Sequence, residues 1–479
     1  MTERTRDDGA GSHADGTESE PRSSSRSGAV SRRAALGAGV AALTTLAGCS
    51  ALSGGDDGPD RTYDTEALRA VPGQSVPTPP STLPISVPTE RFTAHEERTR
   101  ELLDAVPSDP SLPNGRVTQR LADAREQVAS ELAEGVASSA DTGSIRLGRW
   151  RHVRADAAEV AGQYRAATGE VSREAVRTNR ERLRQSVHEF QVDWQYAAPD
   201  PAAAVALHDE VETLLGVAER ATRPRRQFPV DPVANVRLAA DLLAELERGR
   251  AALRDARALV TAMRTDGDDL AGYRPQVAAA ASRLERVVDV TEDRVREYVD
   301  PEGTDPNSVF ERDVRDTPAV SLFDRARDDL TWRLDDLDGA RAAGETATAV
   351  REAAFLLTGY EALADAVDAI ESEAALTMPP ADAGAIETHR DRAVDALESA
   401  SAVTPHAVSR WLARRAAGGL REGDRRLEEA DGTDVYTVDR ATGAYGWVRL
   451  FAETIPETTA FVGSVLADPD VETPDYGRE

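Results

Sequence analysis

The chain has 479 residues, and its 85 acidic side chains outnumber 57 basic ones, leaving a net charge of −28. Every basic residue is arginine, and there is a single cysteine, Cys49. Such an acid excess disfavours binding of nucleic acid or an anionic membrane face through a basic patch. A lone cysteine excludes an intrachain disulfide, Cys-based zinc or iron–sulfur sites and paired-thiol redox chemistry.

Residues 1–33 are long, polar and end in Arg32-Arg33. From Ala34 to Ser50 there is no charge, and the run closes on Leu46-Ala47-Gly48-Cys49. Its length suits a signal h-region and is too short to span a bilayer. Arg-Arg recurs at Arg225-Arg226, Arg414-Arg415 and Arg425-Arg426, but no charge-free run follows there. The segment resembles a twin-arginine export signal ending in a lipobox. That resemblance implies that the twin-arginine machinery reads Arg32 and Arg33. It also implies cleavage before Cys49, lipid on its sulfur, and residence at the outer face of the cell membrane. Residues 1–48 carry equal numbers of arginines and acids, so the whole −28 falls on the mature part. Lysine loss, acid excess and abundant Ala and Val resemble proteins of haloarchaea. At multimolar salt the Debye length falls to about 3 Å or less, and carboxylate self-repulsion is screened.

Residues 49–88 read as a lipidated cysteine followed by a tether: glycine and acid first, proline with Ser and Thr after, and no apolar periodicity. Such composition is solvated and polyproline-like, reaching about 100 Å at roughly 3 Å per residue. Residues 89–479 read as one all-helical extracellular domain. Leu238, Leu242, Leu246, Gly249, Leu253, Ala256, Val260 and Met263 step by three and four, as in a coiled-coil seam. Leu284, Val287, Val288, Val295 and Tyr298 do likewise, as do Leu356, Leu357, Tyr360, Leu363, Val367 and Ile370. Glu245, Glu247, Arg248, Arg250, Arg254 and Asp255 are assigned to a solvated face. Breaks are predicted near residues 107–113, 142–143, 199–201, 224–232, 266–269, 301–318 and 379–380, from proline, glycine and acid clusters. The long segments between them predict an all-α fold, either an elongated bundle or stacked helical hairpins. Residues 435–445, with β-branched and aromatic side chains around a polar turn, predict a small hairpin or an irregular loop.

Val236-Arg237, Ala239-Ala240 and Leu242-Leu243 recur as Val350-Arg351, Ala353-Ala354 and Leu356-Leu357, and Glu247 recurs as Glu361. The offset raises the expectation of two related halves, about 230–300 and 345–430.

Motifs of phosphate loops, dinucleotide folds, zinc proteases, calcium loops and hydrolase nucleophile elbows are absent. The Gly-x-His-x-x-Glu element of imelysin-type metal-capture proteins is absent too. Its nearest approach, residues 94–98 around His95, lacks the glycine and the spaced acid. His152 with Asp156, and His208 with Glu212, stand at i, i+4 and are the best metal-ligand candidates, with surface ion pairs the plainer reading. Phe190, Trp194 and Tyr196 form the densest aromatic cluster and read as an end plug of the core. Trp332, Trp411 and Trp447 read as core or interfacial anchors. The sequence reading is therefore a non-catalytic, lipid-anchored interaction or envelope-structural protein adapted to high salt, with no cofactor. Its expected partners are membrane lipid through Cys49, the export machinery, and an envelope or transporter protein. The alternative is a helical binding lipoprotein that captures a small solute or metal ion for a transporter.

Overall fold

The computed structural model describes residues 61–73, 75–134, 143–266, 269–299, 309–372, 374–430, 432 and 434–472. Arg32, Arg33, Leu46, Ala47, Gly48 and Cys49 lie outside the described residues. The described residues are 78% helical, in thirteen helices with almost no strand, so the fold is all-α. The helices are α1 (Thr65–Ala70), α2 (Thr89–Asp104), α3 (Gly115–Ala133), α4 (Gly143–Ala167), α5 (Arg173–Asp193), α6 (Pro201–Thr222) and α7 (Val236–Asp266). There follow α8 (Arg274–Val299), α9 (Pro318–Ala343), α10 (Thr346–Ser372), α11 (Ala383–Ser401), α12 (His406–Glu429) and α13 (Val435–Ala467). Single turns occupy Val71–Gly73 and Ala374–Thr377.

Side-chain caps start many of these helices. Asn114, Ser172, Asp200, Asp382 and Asp434 each accept a hydrogen bond from an amide in the first turn. Pro201 and Pro318 occupy first-turn positions, where the missing N–H costs nothing. Helix α9 ends at Gly344 in the left-handed region, φ 72°, and the Glu345 amide donates to Ala340 O at 2.9 Å. Among the described residues, the predicted breaks fall between the helices named above or at their ends. The turns at 168–172 and 344–345 carried no proline and are additional, as is 402–405, where Pro405 precedes α12.

In the N-terminal half α4 packs along α7, α6 along α7 and α2 along α4. In the C-terminal half α12 and α11 pack on α13, α10 packs on α8, and α9 packs on both α10 and α13. Helices α6 and α10 pack across the junction. A two-residue antiparallel ladder, Ala197 with Gly272 and Ala198 with Ala271, closes the same junction. Close approach needs missing side chains at two places. A Cβ at Gly249 would stand 2.4 Å from Ala221 Cβ on α6, and one at Gly443 would stand 2.6 Å from Pro318 O on α9.

Four expectations are corrected here. Residues 61–88 are not a free tether. Leu68, Val71 and Leu83 are buried, and α1 packs on α12. The Tyr63 amide donates to Gly432 O at 2.7 Å, and Arg410 donates to Ser81 O at 2.9 Å. Three apolar anchors spaced irregularly leave no periodicity, and a proline-rich backbone leaves carbonyls free for arginine. Residues 435–445 are neither hairpin nor loop but the opening turns of α13, where Val438, Ala441, Thr442, Ala444 and Tyr445 are buried. Burial on several sides overrides β propensity. Glu247 and Asp255 are not on a solvated face: α7 is covered on more than one side, and both carboxylates are buried. Trp332 is no core anchor, being 71% exposed, whereas Trp411 and Trp447 are buried as expected.

Candidate functional site

The two histidine–carboxylate pairs have different fates. His152 is on the surface, its Nε2 3.5 Å from Asp156 Oδ2, as a plain ion pair would be. His208 and Glu212 are both buried on α6 and turn to different partners, so the surface reading fails for them. Trp194 Nε1 donates to His208 Nδ1 at 3.0 Å. An indole nitrogen only donates, so His208 Nδ1 must accept and the neutral ring carries its proton on Nε2. That Nε2 is buried without a partner, and burial pushes the imidazole pKa down to about 3. Neither nitrogen offers a free lone pair to a metal in this tautomer. Among the described residues, no group of three or more His, Cys, Asp or Glu could hold a metal ion.

Glu212 instead caps another helix. Its carboxylate accepts from the Ala347 amide at 3.2 Å and the Thr348 amide at 2.7 Å, the opening amides of α10, and from the Tyr196 hydroxyl. Helix N-termini leave such amides without partners and attract negative charge. Burial nonetheless raises the Glu212 pKa to about 7, against the lowering effect of these donors. Tyr196 stacks on His208 with centroids 4.3 Å apart, and Phe190 stacks on Trp194 at 6.1 Å. Arg274, opening α8, lies over both Trp194 and Tyr196. The aromatic cluster is thus a joint between the halves rather than an end plug.

One turn away, Asp209 accepts from Thr348 Oγ1 at 3.2 Å and pairs with Arg351 at 2.7 Å. Glu352 is buried and receives Arg333 at 2.9 Å. The two carboxylates flanking Arg351 outweigh its burial and raise its pKa. The junction opens to solvent as a cleft of about 400 Å³ lined by both halves, with Asp209 and Glu210 on one side and Arg333, Arg351 and Arg414 on the other.

The sequence reading missed a second buried polar network, inside the N-terminal half. His95 Nε2 lies 3.0 Å from Asp255 Oδ1, and Arg151 donates to Asp255 Oδ2 at 3.1 Å. Burial lowers the His95 pKa; burial opposes ionisation of Asp255, but His95 and the arginines hold its pKa below the usual range. Arg154 donates twice to Glu247 Oε1, at 3.0 and 2.6 Å. Burial works against the Glu247 charge, yet Arg154 and Arg98 bring its pKa to about 2. A charged residue inside an otherwise apolar stripe was the available signal.

Residues 90–269 match a family described as a domain of unknown function (DUF8262), and residues 274–464 match another such domain (DUF8264). No curated protein matches the chain, and no solved structure does. The boundary between the two matched segments falls at the β ladder, so the junction built by α6 and α10 joins one matched segment to the other.

Proposed function

We propose that this chain is a lipid-anchored helical module at the outer face of the membrane, adapted to high salt, that binds other envelope components and does no chemistry. One observation carries the reading: the buried carboxylates between the halves are satisfied by groups of the protein itself. Asp209, Glu212 and Glu352 take all their partners from within the protein. Carboxylates held this way brace a rigid body and are poorly placed to act on a substrate. No described helix is long and apolar enough to cross a membrane; the proposed anchor is Cys49, after the charge-free run 34–48.

The test is cross-linking on intact cells, followed by fractionation. The protein should cross-link to a recurring envelope protein and should do so only while anchored. Cys49→Ser should release it, and Arg32→Lys with Arg33→Lys should leave precursor inside the cell. A Cys49→Ser protein that stays in the membrane fraction at its usual level would refute the anchor. A native protein that forms no cross-link in gently handled envelopes would refute the interaction role. The second reading, capture of a small solute for a transporter, is favoured by the inter-half cleft, where arginines and carboxylates converge.

A further inference from the structure

On the face made by α9, α12 and α13, a groove of about 650 Å³ is lined by Arg325, Arg327, Arg415, Arg426 and Arg440 against Asp324, Asp328 and Asp329. In a chain of net charge −28 this is a local reversal of sign. The arginines are not equivalent. Arg415 pairs with Asp329, and Arg426 with Glu422 at 2.8 Å. Arg440 lies over the Tyr436 ring, 5.2 Å from its centroid. Arg325 is half-buried, and among the described residues it has no carboxylate within ion-pair distance; its Nε is buried without a partner. Asp329, one turn along α9, is already taken by Arg415 and accepts from Trp447 Nε1 at 3.4 Å. Burial lowers the Arg325 pKa, as expected of a cation short of compensation. The guanidinium lies against Gly419 of α12: a Cβ there would stand 3.3 Å from Arg325 Nη2 and 2.7 Å from Val448 Cγ2. Two large aromatic side chains on the same groove, Trp332 and Tyr436, are exposed to 71% and 67%.

We propose that this groove binds a small ring-bearing organic anion. Its carboxylate, sulfate or phosphate takes the vacant donors of Arg325, and its ring lies on Trp332. A planar guanidinium offers parallel donors to such groups, and charge-assisted bonds of this kind are the strong ones. An exposed indole supplies a flat apolar face beside them. Asp324 and Asp328 at the rim would turn away a ligand charged along its whole length, which restricts the groove to one anionic group.

The test is calorimetric titration of the purified chain, at a salt concentration that keeps it folded. Glucuronate, benzoate and phenyl phosphate are the probes, with acetate and glucose as controls. The three ring-bearing anions should bind saturably, acetate more weakly and glucose not at all. Arg325→Gln should weaken all three probes by at least about tenfold. Trp332→Ala should erase the preference for benzoate over acetate. Absence of saturable binding by all three probes, or affinities unchanged in both variants, would overturn the proposal. If Arg325→Gln fails to fold, Trp332→Ala decides, because so exposed a side chain contributes little to the core. An intact benzoate preference in that variant also overturns the proposal.

Discussion

Replacing Glu247 by glutamine removes one charge from the middle of α7 and strands another. Arg154 is 1% exposed, and both of its hydrogen bonds end on Glu247 Oε1. Arg98 reaches the same oxygen at 3.1 Å, but it is partly solvated and survives the loss. Two arguments give the size. Breaking a buried ion pair from one side costs about 3–5 kcal/mol, because the remaining charge is left without compensation. Independently, the Glu247 pKa falls from 4.5 to about 2. At about 1.4 kcal/mol per unit, ionisation of this group in the fold is worth about 3 kcal/mol. Glutamine keeps one acceptor, which favours the lower figure. The pH dependence follows from the sign of the shift. A carboxylate with a depressed folded pKa stabilises above the unfolded value and loses that contribution as pH falls from about 4.5 towards 2. Urea unfolding of wild type and Glu247→Gln at fixed salt should differ by about 3 kcal/mol at pH 7, narrowing to about 1.5 kcal/mol or less at pH 3. The paired replacement Glu247→Leu with Arg154→Met should be far milder than Glu247→Gln, since apolar groups of similar volume substitute well for a buried pair. A gap below about 1 kcal/mol at pH 7, or an equal gap at both pH values, refutes the reasoning.

At the junction, Glu212 should titrate in the opposite sense and His208 in the same sense. A Glu212 pKa raised from 4.5 to about 7 gives stability that is complete below 4.5 and lost as pH rises through 7, while a His208 pKa lowered from 6.5 to about 3 gives stability that is lost as pH falls below 6.5. The two slopes oppose each other between pH 4.5 and 6.5, so unfolding free energies measured there should rise more steeply with pH in Glu212→Gln than in wild type; parallel curves refute the assignment. Gly443→Ala drives a methyl into Pro318 O and the Leu322 amide, and should lower stability by about 1–3 kcal/mol by denaturant titration, whereas Gly339→Ala, with open space around it, should not. Asp424→Asn leaves Arg390, bound in a bidentate pair at 2.8 and 3.0 Å and 1% exposed, short of a countercharge; a loss of about 3 kcal/mol or more is expected, and a loss under about 1 kcal/mol would show that Tyr445 and solvent compensate.

Much of the fold was legible because helices are local objects. Proline and acid clusters marked ends that the structure keeps, from Pro107 to Pro380, and the three-four stripes of α7, α8 and α10 are the buried faces of those helices. The matched segments in α7 and α10 also share burial, at Ala239, Ala240 and Leu242 and at Ala353, Ala354 and Leu356. Gly249, a member of the α7 stripe, is the point where that stripe meets α6 most closely.

The class of structure, the ends of most helices and the face each turns inward are therefore written in the sequence alone. Those follow from backbone propensity, capping and periodicity, which act within a few turns. Which charges are buried is settled by packing instead, because burial depends on what arrives from elsewhere in the chain. His95 meets Asp255 across 160 residues, Glu212 meets the Thr348 amide across 136, and Arg154 meets Glu247 across 93. The same holds for the strap of residues 61–88 and the groove around Arg325. A proline-rich segment, or an arginine on a helix, looks solvated until the surface that covers it, or the acid that fails to pair with it, is in place.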